Sequence, residues 1–221
     1  MQQTLSQFFA KIYGWTFLGL TVSGMTALWI NSMPGIQYTL YTNNWIWWGC
    51  IAFELFLVFW LVARLNTMSA GTARGFYFLY SAVNGITLSI IFVTYDLGTI
   101  STALFTAAGM FIIMSAIGMF TKVDLSNMGG ILLMGLIGVI LASVVNIFFV
   151  QSSTFDFVLA IITVIVFTLL TAYDTQKLKN YHAQAGDTEE ENSKMVTIGA
   201  LELYLDFINI FLSLLRIFGR D

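Results

Sequence analysis

Charge is what this chain has least of. Only 10% of its 221 residues are Asp, Glu, Lys or Arg, where a soluble domain carries roughly 25%. So few charges cannot cover a water-facing surface, and lipid is therefore the expected solvent for much of the chain. Histidine and cysteine occur once each. The lone Cys50 excludes an internal disulfide and leaves the redox compartment unread. The lone His182 and the absence of a His-Glu-x-x-His motif exclude metalloprotease and serine–histidine hydrolase chemistry. His182 itself is expected in a solvated loop. Strict period-2 alternation is missing, which excludes a membrane barrel. The first apolar stretch lacks a basic leader and a small-residue cleavage site, so it reads as a permanent span and not as a cleaved signal. The net charge of -3 offers no basic patch for nucleic acid. What is present is 58% apolar side chain and 18 glycines against one proline, a composition for long helices packed through small residues.

A span needs about 20 mostly apolar residues. Seven stretches qualify: Phe8 to Ile30, Trp45 to Arg64, Ala73 to Thr94, Ile100 to Thr121, Gly129 to Val150, Phe155 to Lys177, and Val196 to Phe218. No linker or composition shift divides them, so residues 1–221 are expected to form a single all-α, seven-helix transmembrane domain. The first connection (Asn31 to Asn44) reads as a polar loop and the sixth (Lys179 to Lys194) as a charged one. Met-Gly-Gly and Gln-Ser-Ser-Thr turns make tight hairpins on either side of the fifth span. Lys11, Arg64, Arg74, Lys122, Lys177, Lys179 and Lys194 fall at the N-terminus or on the even connections. The odd connections hold no Lys or Arg. The positive-inside rule then puts the N-terminus in the cytoplasm and, after seven crossings, the C-terminus outside, with Arg216 and Arg220 against the trend. Trp45, Trp47 and Trp48 suit an aromatic belt at the outer interface.

An ionisable side chain inside a bilayer costs at least about 2.5 to 3.5 kcal/mol on insertion scales, so each one calls for a partner. Glu54, Arg64, Asp174, Glu202 and Asp206 fall within the spans. Glu202 and Asp206 are four residues apart and share a helix face, which Asn209 extends. A lipid-facing helix would not carry that stripe, so the seventh helix is expected to be enclosed by the others. Glu54 reads equally as an ion-path residue or as structural glue, with Arg216 a candidate partner. Arg64 and Asp174 lie near the cytoplasmic interface, where snorkelling satisfies long side chains. Asp206 is too short and too deep for that and points to a proton or ion pathway. Asn84 and Asn146 read as interhelical hydrogen-bond formers. Two neighbouring carboxylates share a proton, titrate as a pair and, when ionised, attract a hard divalent cation through oxygen. Counting helical rise from the span boundaries leaves Asp174 and Asp206 about 10 Å apart in depth, so contact needs a tilted helix or a shifted start.

Five segments carry a resemblance: Gly199 to Gly219 (GALELYLDFINIFLSLLRIFG), Thr171 to Lys179 (TAYDTQKLK), Lys11 to Gly24 (KIYGWTFLGLTVSG), Asn84 to Phe92 (NGITLSIIF) and Gly118 to Gly129 (GMFTKVDLSNMG). Together they resemble the Bax-inhibitor family, the transmembrane Bax inhibitor motif proteins, over nearly the whole chain. The resemblance implies six helices in two three-helix layers around a central C-terminal helix. It also implies the function of prokaryotic members, a pH-sensitive calcium leak. There a di-aspartyl sensor joins helices six and seven and pairs with an arginine at the end of helix two. In this sequence those roles fall on Asp174, Asp206 and Arg64. Asp174 and Asp206 would meet calcium only in transit, and Glu54, Glu202, Asn209 and Arg216 would line the path or support it.

Three readings rival a proton-gated leak. One is a non-transporting regulator that binds a membrane protease or a stress-pathway protein, with the acidic run Glu189 to Glu191 as its docking surface. Another is an intramembrane aspartyl protease, for which Tyr173-Asp174 supplies half a motif and Gly-x-Gly-Asp is missing. Receptor and rhodopsin readings fail on the charge bias and on the absence of lysine from the last span. The expectation is therefore a non-enzymatic protein of the bacterial plasma membrane, without a cofactor. Its partners are the bilayer, calcium ions and protons, with a membrane-protein partner as the alternative.

Overall fold

The computed structural model describes residues 4–65, 67–184 and 188–220. Among them there is no strand. The helices are α1 (Leu5–Asn31), α2 (Pro34–Thr42), α3 (Asn44–Arg64), α4 (Ala70–Leu88), α5 (Ile91–Thr94), α6 (Leu97–Phe120), α7 (Gly129–Val145), α8 (Ser153–Gln184) and α9 (Glu189–Phe218). A 3₁₀ turn, Ser126–Met128, leads into α7, and a π turn, Asn146–Val150, closes it.

Six helical segments are long and apolar enough to cross a membrane: Trp45–Arg64, Ala70–Thr94, Leu97–Phe120, Ser126–Val150, Ser153–Ala183 and Glu189–Phe218. The seventh expected span, α1, is long enough at 27 residues, about 40 Å of helix. It is not among the six because glycines, tryptophans, a tyrosine and hydroxyl residues dilute its hydropathy. Those hydroxyls are bonded: Thr21 and Thr26 donate to the carbonyl four residues back, and Thr16 and Ser23 lie within bonding distance both of that carbonyl and of groups on neighbouring helices. Hydropathy counted by residue type therefore overstates how polar α1 is.

Two compact units divide the chain, each built on three long helices. The first takes Met1–Thr94 and Gln184–Tyr204; the second takes Tyr95–Ala183 and Leu205–Asp221. Helix α9 contributes to both. It is also the most enclosed of the six, with 72% of its apolar stretch buried against 11% for α3, as its polar stripe requires.

In the first unit α1 lies along α4. Its buried positions Ile12, Thr16, Gly19, Ser23, Ala27 and Ile30 recur every three or four residues. At Gly85 of α4 an added methyl would strike the Ser23 carbonyl, so the two backbones touch there, as small residues allow in membranes. In the second unit α6 turns Ala103, Ala107, Ser115 and Gly118 inward, while Phe105, Ile112, Ile113 and Phe120 face outward. Gly118 meets the backbone of Ala172 on α8, and Gly129 takes the ring of Tyr173. The outward rows of α3, α6 and α7 are large, apolar and contiguous, which only lipid tolerates.

Three expectations about the connections need correction. The first connection is not a plain loop but holds α2, opened by Pro34 at the first helical position. The third span is interrupted after Leu88, where the Ser89 hydroxyl turns back to the Ile86 carbonyl, and α5 completes it. The sixth connection is mostly helix. Helix α8 runs on to Gln184 and α9 begins at Glu189, so His182 lies on α8 and the acidic run is the first turn of α9. Asn146 is also a local brace and not an interhelical one. Its side chain bonds both backbone groups of Ser152 across the turn where Gln151 adopts φ 49°.

Candidate functional site

The carboxylates expected to matter occupy the two last helices. Asp174 on α8 is 8% exposed and Asp206 on α9 is 3% exposed, and both belong to the second unit. Lys177, one turn beyond Asp174, donates from Nζ to its Oδ1 at 3.2 Å. That i,i+3 spacing puts the cation on the same face. The stretch of α8 around Asp174 is tied down by polar side chains. Gln176 donates to the Val123 carbonyl at 2.8 Å and accepts from the Leu125 N–H at 2.7 Å. Lys179 donates to the Met119 carbonyl at 2.9 Å, one of the carbonyls that the end of α6 leaves without a helical partner. On α9, Phe207 meets Phe111 edge-on with ring centroids 5.7 Å apart, which fixes the helix beside Asp206. Asn209 turns its amide back to the Leu205 carbonyl at 2.8 Å, and Glu202 is half-buried.

Arg64 is exposed at the C-terminal end of α3, inside the first unit. The cation bonded to Asp174 is Lys177, which the sequence reading did not single out although its spacing was visible. Arg216, the candidate partner for Glu54, forms an ion pair with Asp156 at 3.2 Å and a hydrogen bond to Ser213. The two lie 60 positions apart in the chain, a separation that leaves no pattern to read. Glu54 is satisfied by neutral donors of α4 instead: Thr87 Oγ1 donates to Oε1 at 2.6 Å and Asn84 Nδ2 to Oε2 at 3.1 Å. Asn84 is thus an interhelical bond former, and it also accepts from the Tyr204 hydroxyl of α9 at 2.7 Å.

The acidic run has internal work. Thr188 and Glu191 exchange bonds at the start of α9: the Glu191 N–H donates to Thr188 Oγ1, and that hydroxyl donates to Glu191 Oε2. Threonine followed three residues later by glutamate is a helix-start signal, and three acids in a first turn favour the positive end of the helix dipole. Glu190 reaches α4, where its Oε1 accepts from the Ala70 N–H at 2.6 Å. Among the described residues no group of three or more His, Cys, Asp and Glu side chains gathers as a metal site.

Long apolar helices, an outer surface fit only for lipid and carboxylates kept on the inner faces define an integral membrane protein of the all-helical class. The chain belongs to the Bax inhibitor-1 family: it matches the family described as Inhibitor of apoptosis-promoting Bax1 over residues 5–221. It is 44% identical to the inner membrane protein YbhL of Escherichia coli over 217 residues, covering 98% of this chain and 92% of that protein. A protein of Borreliella burgdorferi is 39% identical over 215 residues, with 97% and 92% covered. A membrane protein of Streptococcus pyogenes serotype M6 is 39% identical over 222 residues, with 98% and 94% covered.

Proposed function

We propose that this protein is a pH-sensitive calcium leak of the bacterial inner membrane, gated by protonation of Asp174 and Asp206. The support is the pair of buried aspartates on α8 and α9, which lie in one unit within segments suited to cross a bilayer. A carboxylate kept in such a place is costly unless it handles charge. Calcium prefers six to eight oxygen ligands, so two aspartates suit an ion in transit better than a resident one. When ionised they draw the cation in; when protonated they lose that attraction and their mutual repulsion together. Lys177 holds the ionised form of Asp174 through its 3.2 Å bond. Arg64 enters this mechanism through the family resemblance.

In this reading α1 is the seventh span, its hydroxyls bonded. The positively charged N-terminus and even connections face the cytoplasm. The protein is not an enzyme and carries no cofactor, and its cargo is calcium with protons as the controlling ligand. A docking role for the acidic run is less favoured, because Glu190 and Glu191 are both engaged inside the first unit.

The deciding experiment is calcium flux from proteoliposomes as a function of pH. Asp206→Asn is expected to conduct without the pH dependence of the parent chain. Unaltered pH dependence in that variant would remove the aspartates from the gate, and no flux at any pH in the parent would favour the non-transporting regulator.

A further inference from the structure

The first unit holds a buried hydrogen-bond chain that the aspartate mechanism does not use. It begins at Glu54 on α3, passes through Asn84 on α4 and Tyr204 on α9, and reaches Ser23 on α1. Its links are Asn84 Nδ2 to Glu54 Oε2 at 3.1 Å, Tyr204 OH to Asn84 Oδ1 at 2.7 Å, and 2.6 Å between the Ser23 and Tyr204 oxygens. Ser23 Oγ also lies 2.7 Å from the Ser81 carbonyl and 3.1 Å from that of Gly19. Tyr204 and Ser81 are fully buried, Ser23 is 1% exposed and Asn84 6%. Glu54 is the half-buried member.

Counting protons along this chain gives two arrangements. A hydroxyl has one proton, so Ser23 cannot donate to Gly19, Ser81 and Tyr204 at once. When Glu54 is ionised it only accepts. The Asn84 amide then donates to it, Tyr204 donates to the amide oxygen, and the Ser23 proton is shared among the Tyr204 oxygen and the Ser81 and Gly19 carbonyls. When Glu54 is protonated on Oε2, with the Thr87 hydroxyl donating to Oε1 and not to the Asn84 carbonyl 2.9 Å away, it has a proton to give towards Asn84. A half-turn of the Asn84 amide presents its oxygen to that proton, a change that moves no other heavy atom. The amide nitrogen then donates to the Tyr204 oxygen, Tyr204 to Ser23, and Ser23 to the Ser81 carbonyl.

We propose that Glu54, Asn84, Tyr204 and Ser23 form a proton-controlled switch in which the charge of Glu54 sets the direction of every bond in the chain. The protonated arrangement removes the Tyr204 oxygen as an acceptor for Ser23 and leaves the serine proton to carbonyls, the nearer being that of Ser81 on α4 at 2.7 Å. That contact lies beside Gly85, where the two backbones touch. The switch therefore commits the Ser23 proton to the α1–α4 contact when a proton arrives, and it acts on α9 at Tyr204, two residues before Asp206. The titratable groups that face Glu54 within its unit are Cys50 on its own helix, Tyr80 on α4 and Tyr204 on α9. The ring of Tyr77 packs against Tyr204. Cooperative polarisation along such a buried chain favours all-or-none reversal.

The test needs no ion flux, so its failure and that of the calcium leak are separable. Infrared difference spectra between high and low pH would be recorded on the full chain in lipid nanodiscs, with isotope-labelled tyrosine. The carboxylic acid band lost in Glu54→Gln identifies Glu54, and the tyrosine band lost in Tyr204→Phe identifies Tyr204. The two bands are expected to titrate with one midpoint. In Glu54→Gln the Thr87 hydroxyl takes the carboxamide oxygen and the NH₂ faces Asn84, so the Tyr204 band should stay at its low-pH position at every pH. A Tyr204 band that ignores pH, or that still titrates in Glu54→Gln, overturns the switch. So does a Glu54 that never gains a proton while the protein stays folded. If Tyr204→Phe does not fold, the labelled spectra of the parent chain and of Glu54→Gln decide by themselves.

Discussion

Asp96 shows how much a single side chain outside the membrane settles. It is the N-cap of α6, its side chain accepting from both the hydroxyl and the N–H of Thr99. Those bonds, the hydroxyl's first and the N–H's second, hold its carboxyl below the usual carboxylate range. A carboxyl lowered on folding stabilises the folded state above its unfolded value, and loses that contribution as pH falls through its folded value. Asp96→Ala is therefore expected to melt below the parent chain at neutral pH, the gap closing as the solution is made acid. A series of thermal melts in detergent checks it, and a gap independent of pH would mean that the ionised cap is not the stabilising form. Glu190 and Thr188 likewise accept from backbone N–H groups, at the starts of α4 and α9. The Thr-x-x-Glu spacing at Thr188 stands in a stretch that reads as a charged loop, and the reach of Glu190 to Ala70, 120 residues away, left no trace in the sequence.

Among the helices, glycine decides where backbones meet, and its role differs by face. Gly118 lies against the Ala172 carbonyl of α8, whereas Gly109 on the same helix has open space around it. Gly118→Ala is expected to cost about 1–3 kcal/mol through overpacking. Gly109→Ala is expected to be neutral or to gain up to about 1 kcal/mol from helix propensity. Comparative melting of the two variants reads the difference, and equal shifts would contradict the tight α6–α8 approach. Element boundaries were the least legible feature. The short helix α2 is too brief and mixed for periodicity to single out, and the break after Leu88 depends on serine and threonine bonding backward. The extension of α8 and α9 was hidden because charged residues in a helix extending past the bilayer look like a charged loop.

For the whole molecule the number of crossings fixes where the two termini lie. With α1 in the membrane the termini lie on opposite sides, and without it on the same side. Single cysteines near each terminus, in a Cys50→Ser background, are expected to react with a membrane-impermeant maleimide from opposite faces of the bilayer. Labelling of both from one face would take α1 out of the span count and reverse one end of the proposed orientation. The two compact units differ in what they hold. The first contains α1 and the hydrogen-bond chain, and the second contains both aspartates, with α9 running through each.

The sequence by itself determined which stretches belong in lipid, that the last helix is unlike the rest, and to which family the chain is similar. Transfer from water to hydrocarbon is nearly additive along a chain, so those properties can be counted one residue at a time. Only the tertiary structure decided the partners. Glu54 rests on Asn84 and Thr87, Arg216 pairs with Asp156, Lys177 holds Asp174, and Asn84 joins three helices. Most of these pairings are between residues far apart in the chain. They depend on how helices rotate and lean within each unit, which steric packing of small and large side chains sets and residue spacing does not reveal.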